Sequence, residues 1–399
     1  MAGFNRRAAL GFAGAGLLGA VCPSRAETIT LPFGNGERPV VRYPEKRDLI
    51  LLTSRPPQLE TLFSVYGEGL LTPNDAFFVR YHLADLPIGG IDPATFRLEV
   101  KGSVAKPLSL GLDELKAMPG AELVAVNQCS GNGRGFSEPR VAGGQAGNGL
   151  MGNARWTGVP LKAVLDRAGV RPGAVQVKFD GLDGPVLDTT PDFAKALDLD
   201  HARDGEVMLA WAMNGAELPF LNGYPLRLVV PGHFGTYWVK HLNEITVLDE
   251  PLANFWMASA YRIPDNDCNC VAPGTAPAKT KPIGRYKVRS FIASVQDGAR
   301  VAANQPVPLR GIAFDGGSGI KQVQVSADGG RTWTDATLGQ DLGRYSFRGW
   351  EAPVTLATGR HALQVRAVAN SGEMQPVEQP WNPAGYLLNR IETTTVDAA

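Results

Sequence analysis

A chain of 399 residues exceeds one ordinary domain, and 44% apolar with 20% charged residues is the balance of a globular protein with sizeable cores. Lysine plus arginine equals aspartate plus glutamate at 39 each, so net charge offers no grounds for a nucleic-acid or anionic-membrane partner. The 47 glycines and 30 prolines favour strands and loops over a helical bundle.

Residues 1–26 read as a targeting segment. Arg6 and Arg7 precede an uncharged apolar run from Ala8 to Cys22, and Ser24-Arg25-Ala26 offers small residues at a cleavage spacing. The run is too short for a span, which needs roughly 20 apolar residues, so export and removal are expected and not anchoring. Asn5-Arg6-Arg7-Ala8-Ala9-Leu10 resembles a twin-arginine signal, with alanine where phenylalanine is usual. Losing the three arginines of this segment leaves 36 basic against 39 acidic side chains, net −3. No later segment reads as a membrane span, so the mature chain is expected to be soluble and periplasmic.

Residues 27–75 carry weak periodicity and read as an extended wrapping segment. Phe77 to Leu83 alternates as a strand, with Arg80 and His82 on the face opposite Phe77, Val79, Tyr81 and Leu83. Phe96–Val100 is a second strand and Leu112–Met118 a short helix. Glu122–Gln128 runs as a strand into the glycine-rich Cys129-Ser130-Gly131-Asn132-Gly133-Arg134-Gly135. Pro160 opens a helix with Leu161, Val164, Leu165 and Ala168 on one face. Strands are expected at Val175–Phe179, Val207–Met213, Leu226–Val230 and Tyr237–Val247. Residues 271–286, rich in proline, alanine and lysine, read as a linker. The pattern beyond it, short strands broken by tight turns, predicts an immunoglobulin-like sandwich over 287–399. The expected fold class is therefore α+β: a mixed α/β core over 27–270 followed by an all-β domain.

Four cysteines include Cys22 in the targeting segment, which leaves Cys129, Cys268 and Cys270, an odd number for an exported chain. Cys268 and Cys270 are either a disulfide or two inert thiols; a structural zinc would need ligands that are missing. Cys129 then stands alone, with glycines that admit a close ligand and Arg134 favouring thiolate. A soft metal suits it, and a nucleophile paired with a histidine is the competing chemistry. Arg80, His82 and Arg134 offer donors for an oxyanion. Arg227 and Lys240, read as lying on consecutive strands around the turn at Pro231-Gly232, either bind a phosphate or face solvent. No Gly-x-Gly-x-x-Gly, Walker loop, His-Glu-x-x-His or Gly-x-Ser-x-Gly occurs, nor the Cys-x-x-Cys-His of covalent haem.

The order of these pieces resembles the sulfite oxidase family of molybdopterin enzymes across nearly the whole mature chain. The specific stretches are Asn127 to Arg134, Gly152-Asn153-Ala154-Arg155-Trp156-Thr157-Gly158-Val159-Pro160-Leu161, Gly223 to Gly232, Val239-Lys240, and Val323-Gln324-Val325-Ser326 with Asp328 to Trp333. The resemblance implies molybdopterin with molybdenum as cofactor and Cys129 as metal ligand. It implies Arg80, Arg134 and Tyr261 at the substrate, with His82, Asp183, Asn222, Arg227 and Lys240 at the cofactor. Asn222 departs from the family's usual histidine. The implied activity is sulfite oxidation with electrons passed to a separate acceptor such as a cytochrome c, no haem in this chain, and pairing into a homodimer or heterodimer through the C-terminal domain. The alternatives are a periplasmic methionine-sulfoxide reductase, whose relatives lack the second domain, nitrate reduction, and a non-catalytic homologue.

Overall fold

A computed structural model describes residues 27–399; the targeting segment expected over 1–26 lies outside the described residues. The segment expected merely to wrap is a sheet. Strands Thr28–Thr30, Glu37–Arg42, Asp48–Ser54, Pro57–Glu60 and Val79–Arg80 pair antiparallel in chain order. Leu49, Leu59, Val79 and Tyr81 form a small core of their own beneath it, where the stripe was too short to show as periodicity.

Two further five-stranded groupings make the rest of the first unit. One orders Ala194–Asp198, Gln176–Gly181, Leu242–Leu248, Leu98–Gly102 and Leu108–Leu110. The other runs Ala216–Glu217, Met208–Met213, Met151–Pro160 and Ala121–Gln128, with Arg227–Val229 also on Met208–Met213. Helices among the described residues are short: Leu112–Lys116, Leu161–Ala168, Leu199–Ala202 and Phe255–Ala258. The core expected to be mixed α/β is thus mostly strand, because glycine and proline cut the apolar runs below helical length. Leu161–Ala168 buries Leu161, Val164, Leu165 and Ala168 as its spacing predicts. Pro160 caps it instead of opening its first turn, and Gly169 at φ 71° ends it.

The C-terminal unit is a two-sheet sandwich. Arg289–Ile292, Pro306–Phe314, Arg348–Thr355 and Thr337–Leu338 face Ala299–Val301, Thr393–Ala398, Gly359–Ala369, Ile320–Ser326 and Thr334–Asp335. Leu309, Val323, Trp350, Leu363 and Val365 fill it. The stretch read as a linker is no free tether: Thr280–Pro282 pairs with Arg262–Pro264, and Ile283 and Tyr286 are buried in the main core. That core runs on into Phe291, Phe314 and Phe347 of the sandwich. Buried Arg289 reaches Asn148 and Glu392 at 2.9 Å each, while Glu206 is held by Tyr345, Arg285 and Arg344. No helix among the described residues is long and apolar enough to cross a membrane.

Gly158 shows why the Gly-Asn-Ala-Arg-Trp-Thr-Gly stretch needs its last glycine. It sits opposite Ala210, and a Cβ there would lie 2.0 Å from the carbonyl oxygen of Leu209. Gly158→Ala is expected to destabilise by about 2 kcal/mol or more, since a packed strand pair yields little; an unchanged urea midpoint would contradict this reading.

Candidate active site

The strand Ala121–Gln128 is buried over its second half and delivers Cys129 at its end. The loop is pinned at once. Cys129 N–H donates to Leu150 O at 2.9 Å, Leu150 N–H to Asn132 Oδ1 at 2.9 Å, and Asn132 Nδ2 to Gln128 Oε1 at 3.3 Å. Gly133 takes φ 85°, which a side chain would resist. Among the described residues Cys129 is the one cysteine outside a disulfide; Cys268 and Cys270 are joined.

Cys129 lines a pocket with Arg80, His82, Asn222, Arg227, Lys240 and Tyr261, all picked out from sequence. Phe77, Phe78, Asn127, Ser130, Gly235, Thr236 and Trp238 complete the wall. Of the run expected as a strand from Phe77 to Leu83 only Val79–Arg80 is strand, and Phe77 lines the pocket too; Arg80 and His82 still share the wall while Val79 and Tyr81 enter the small core behind. Lys240 is not on a strand, contrary to expectation: the run from Tyr237 breaks into a short 3-10 turn and a loop, and the strand starts at Leu242. That loop lets Lys240 Nζ fold over the Tyr81 ring, 3.0 Å from its centre, and donate to Arg80 O at 2.7 Å.

Arg227 is wholly enclosed. Its guanidinium lies between Trp156 and Trp238, 4.9 and 5.6 Å from the ring centres, and donates to Asn222 O at 2.8 Å. Burial lowers its pKa to about 9. Burial likewise pushes the Lys240 ammonium well below its ordinary range, opposed by Asp183 and reinforced by Arg227, Arg80 and Lys46. Lys46, which sequence reasoning missed, donates to Asn222 Oδ1 at 2.5 Å, Asn74 O at 2.6 Å and Phe77 O at 3.1 Å, with its pKa lowered to about 7 by burial. Asn222 thus braces the cation cluster where the family's histidine was expected.

His82 and Tyr261 share a hydrogen bond of 2.6 Å. Burial, then Arg80 and Lys240, hold His82 neutral by pushing its pKa well below 6.5. Burial also raises the Tyr261 hydroxyl, so it stays protonated, and its backbone sits at φ 57°, a strained value for a bulky residue. Lys195, also missed, is fully buried behind Tyr261, donating to Trp256 O at 2.7 Å, and desolvation lowers its pKa to about 7. No signal in the sequence distinguishes Lys46 or Lys195 from surface lysines. A nucleophilic Cys129 finds no base, since His82 is the histidine on the pocket wall and its bond goes to Tyr261.

Two expected residues stand off the wall. Arg134 turns away, its Nε donating to Ala384 O at 3.0 Å and its guanidinium 5.0 Å from the Tyr386 ring centre. Asp183 is buried behind Lys240, and desolvation lifts its pKa to about 6.

Among the described residues lining the pocket there is no carboxylate. Arg80 Nη1, Asn127 Oδ1, Ser130 Oγ, Arg227 Nε and Thr236 Oγ1 are buried there without partners. Orphaned donors and acceptors around unpaired cations fit an anionic ligand rich in hydrogen-bonding groups, as a pterin phosphate is, and the thiol of Cys129 fits a soft metal.

The pH dependence of stability tests this. With Lys46 and Lys195 titrating near 7 in the fold and near 10.4 unfolded, the unfolded chain binds more protons at pH 8.5–9.5. Stability of cofactor-free protein is therefore expected to rise across that window, by up to about 1.4 kcal/mol per pH unit for each lysine. An anionic ligand restores proton affinity to the cluster, so the cofactor-loaded protein should show a flatter slope; equal slopes in urea denaturation would refute the charge argument.

Comparison with known proteins places the chain in a family. Residues 84–256 match the oxidoreductase molybdopterin binding domain and residues 280–396 the Mo-co oxidoreductase dimerisation domain. Mitochondrial sulfite oxidase of Mus musculus is 34% identical over 88% of this chain, which spans 65% of that protein's length. Sulfite oxidase of Gallus gallus is 34% identical, with 86% of this chain and 77% of the relative covered. The sulfane dehydrogenase SoxCD structure from Paracoccus pantotrophus shares the fold at TM-score 0.73 and 23% identity, over 97% of this chain and 96% of that one. Carrying both of the family's domains, with Cys129 in the pocket between cationic walls, the chain belongs to the sulfite oxidase family of molybdopterin oxidoreductases.

Proposed function

We propose that the chain is an exported sulfite dehydrogenase that oxidises sulfite to sulfate and passes the electrons to a separate acceptor, a cytochrome c. The observation that carries this reading is the juxtaposition of Cys129, Arg80 and Tyr261 on one wall, with Arg80 Nη1 buried and unpartnered. The names of the sulfite oxidase relatives support the substrate, and that of the dehydrogenase with the same fold agrees with transfer to another carrier.

Cys129 would ligate molybdenum through its thiolate, while Arg227, Lys240 and Asn222 hold the pterin and its phosphate. Lys46 steadies Asn222 from behind, and Asp183 balances Lys240. When bound, the cofactor supplies the oxygen that sulfite takes up and accepts two electrons. Arg80 binds the substrate dianion through donors already in place, so little reorganisation is needed. Tyr261, protonated and oriented by His82, directs its hydroxyl chemistry at the substrate oxyanion. Arg134 acts on the substrate at one remove, through Tyr386. The pairing of two chains through the sandwich, and delivery to the periplasm by the twin-arginine route, belong to the same reading.

Loaded protein should reduce ferricyanide or cytochrome c on addition of sulfite and leave methionine sulfoxide untouched; the reverse would replace this function by sulfoxide reduction. Arg80→Ala is expected to raise KM for sulfite by about tenfold to a hundredfold, the worth of one lost charge-assisted bond. Cys129→Ser should abolish turnover while leaving the melting temperature within a few degrees, because the loop's hydrogen bonds run through backbone and Asn132. Sulfite turnover surviving in Cys129→Ser would rule out its role as metal ligand.

A further inference from the structure

Tyr261, on the pocket wall, is backed from behind by the C-terminal unit. Residues 381–388 return from the sandwich and pack on the outer side of the Cys129 loop. Trp381 Nε1 donates to Pro139 O at 2.9 Å, Ala384 O accepts from Arg134 Nε at 3.0 Å, and a Cβ on Gly133 would lie 2.2 Å from Leu388. This turn sets the Tyr386 ring parallel to that of Tyr261, with centres 5.8 Å apart and planes within 6°. On its far side Tyr386 lines a second cavity of about 340 Å³, bordered by Phe136, Glu138 and Arg390. Tyr261 lines the inner pocket and Tyr386 the outer cavity, so the stacked pair stands between them. The Arg134 guanidinium, five residues past Cys129, lies 5.0 Å from the Tyr386 ring centre and ties that ring to the Cys129 loop.

We propose that Tyr386 is a specificity-determining residue of this site: by backing Tyr261 its ring keeps the anion pocket closed off from the outer cavity and restricts the pocket to a small oxyanion. The inference rests on the sulfite reading above and extends it to the size of the substrate. Contact between the two parallel rings helps hold Tyr261, whose backbone sits at φ 57°, against the wall. Removing Tyr386 would leave Tyr261 with the outer cavity behind it in place of a ring, free to swing outward, and would deprive the Arg134 guanidinium of the ring it covers. A larger sulfur oxyanion, an arylsulfonate for example, would then find room that the parent denies it.

The test compares cofactor-loaded Tyr386→Phe, Tyr386→Leu and Tyr386→Ala with the parent. Affinities for sulfate and benzenesulfonate are read by protein tryptophan fluorescence, which needs no turnover, together with kcat and KM for sulfite. Tyr386→Ala is expected to weaken sulfate and raise KM for sulfite at least tenfold, to tighten benzenesulfonate at least tenfold, and to change kcat less than threefold. Tyr386→Leu should move the same way by less, and it carries the test if the alanine variant does not fold. Tyr386→Phe, which keeps the ring, should stay within threefold of the parent throughout. Unchanged discrimination between the two anions in the alanine or leucine variant, or a phenylalanine variant as altered as alanine, would overturn the proposal. A parent that does not oxidise sulfite would defeat the functional reading alone, because the anion affinities still report on the wall.

Discussion

Arg227 is enclosed between two indole rings, Lys240 is folded over a phenol ring and tempered by Asp183, and Lys46 lies behind Asn222. Burying one charge without a partner costs several kcal/mol, and here several like charges are brought together. Ring faces and backbone carbonyls make the cluster tolerable: Arg80 O, Asn222 O, Phe77 O and Asn74 O all accept from it. A strand end at Arg80, a 3-10 turn at Asn222 and the stretch holding Asn74 and Phe77 present those carbonyls, so the placement of the cations depends on how these segments meet. The deficit that remains is the affinity available to an anionic cofactor.

The neutral pair of His82 and Tyr261 follows from the same field. Arg80 and Lys240 disfavour a charged imidazole, and burial disfavours both a charged imidazole and a phenolate. The pocket therefore keeps its protons on oxygen and nitrogen at defined atoms while its positive charge is reserved for ligands. The sandwich belongs to this arrangement and is no appendage. Its aromatic residues join the main core, Glu206 ties three of the seam's donors, and residues 381–388 brace the Cys129 loop from outside.

Where a functional residue lies in a local pattern, it is legible in the chain. Cys129 ends an apolar strand before a glycine-rich turn, and Arg80 and His82 alternate with apolar neighbours, so period and turn chemistry expose them. Lys46 and Lys195 have no such signal, because what distinguishes them is burial by segments far away in sequence. The N-terminal sheet was invisible for a related reason: its strands bury half their residues only partly, and their alternation is weak. The motif alone points Arg134 at the pocket, and the structure turns it toward Ala384 and Tyr386 instead.

By itself the sequence determined the thiol, its loop, the two-unit order and the family, since each depends on neighbours within a few residues or on the order of motifs. The tertiary structure alone decided how much positive charge converges on the pocket, that Asn222 is braced by Lys46, and that Tyr386 crosses from the second unit to Tyr261. Those outcomes depend on contacts across more than a hundred residues of chain, and desolvation and stacking act on distance in space, for which a linear pattern carries no measure.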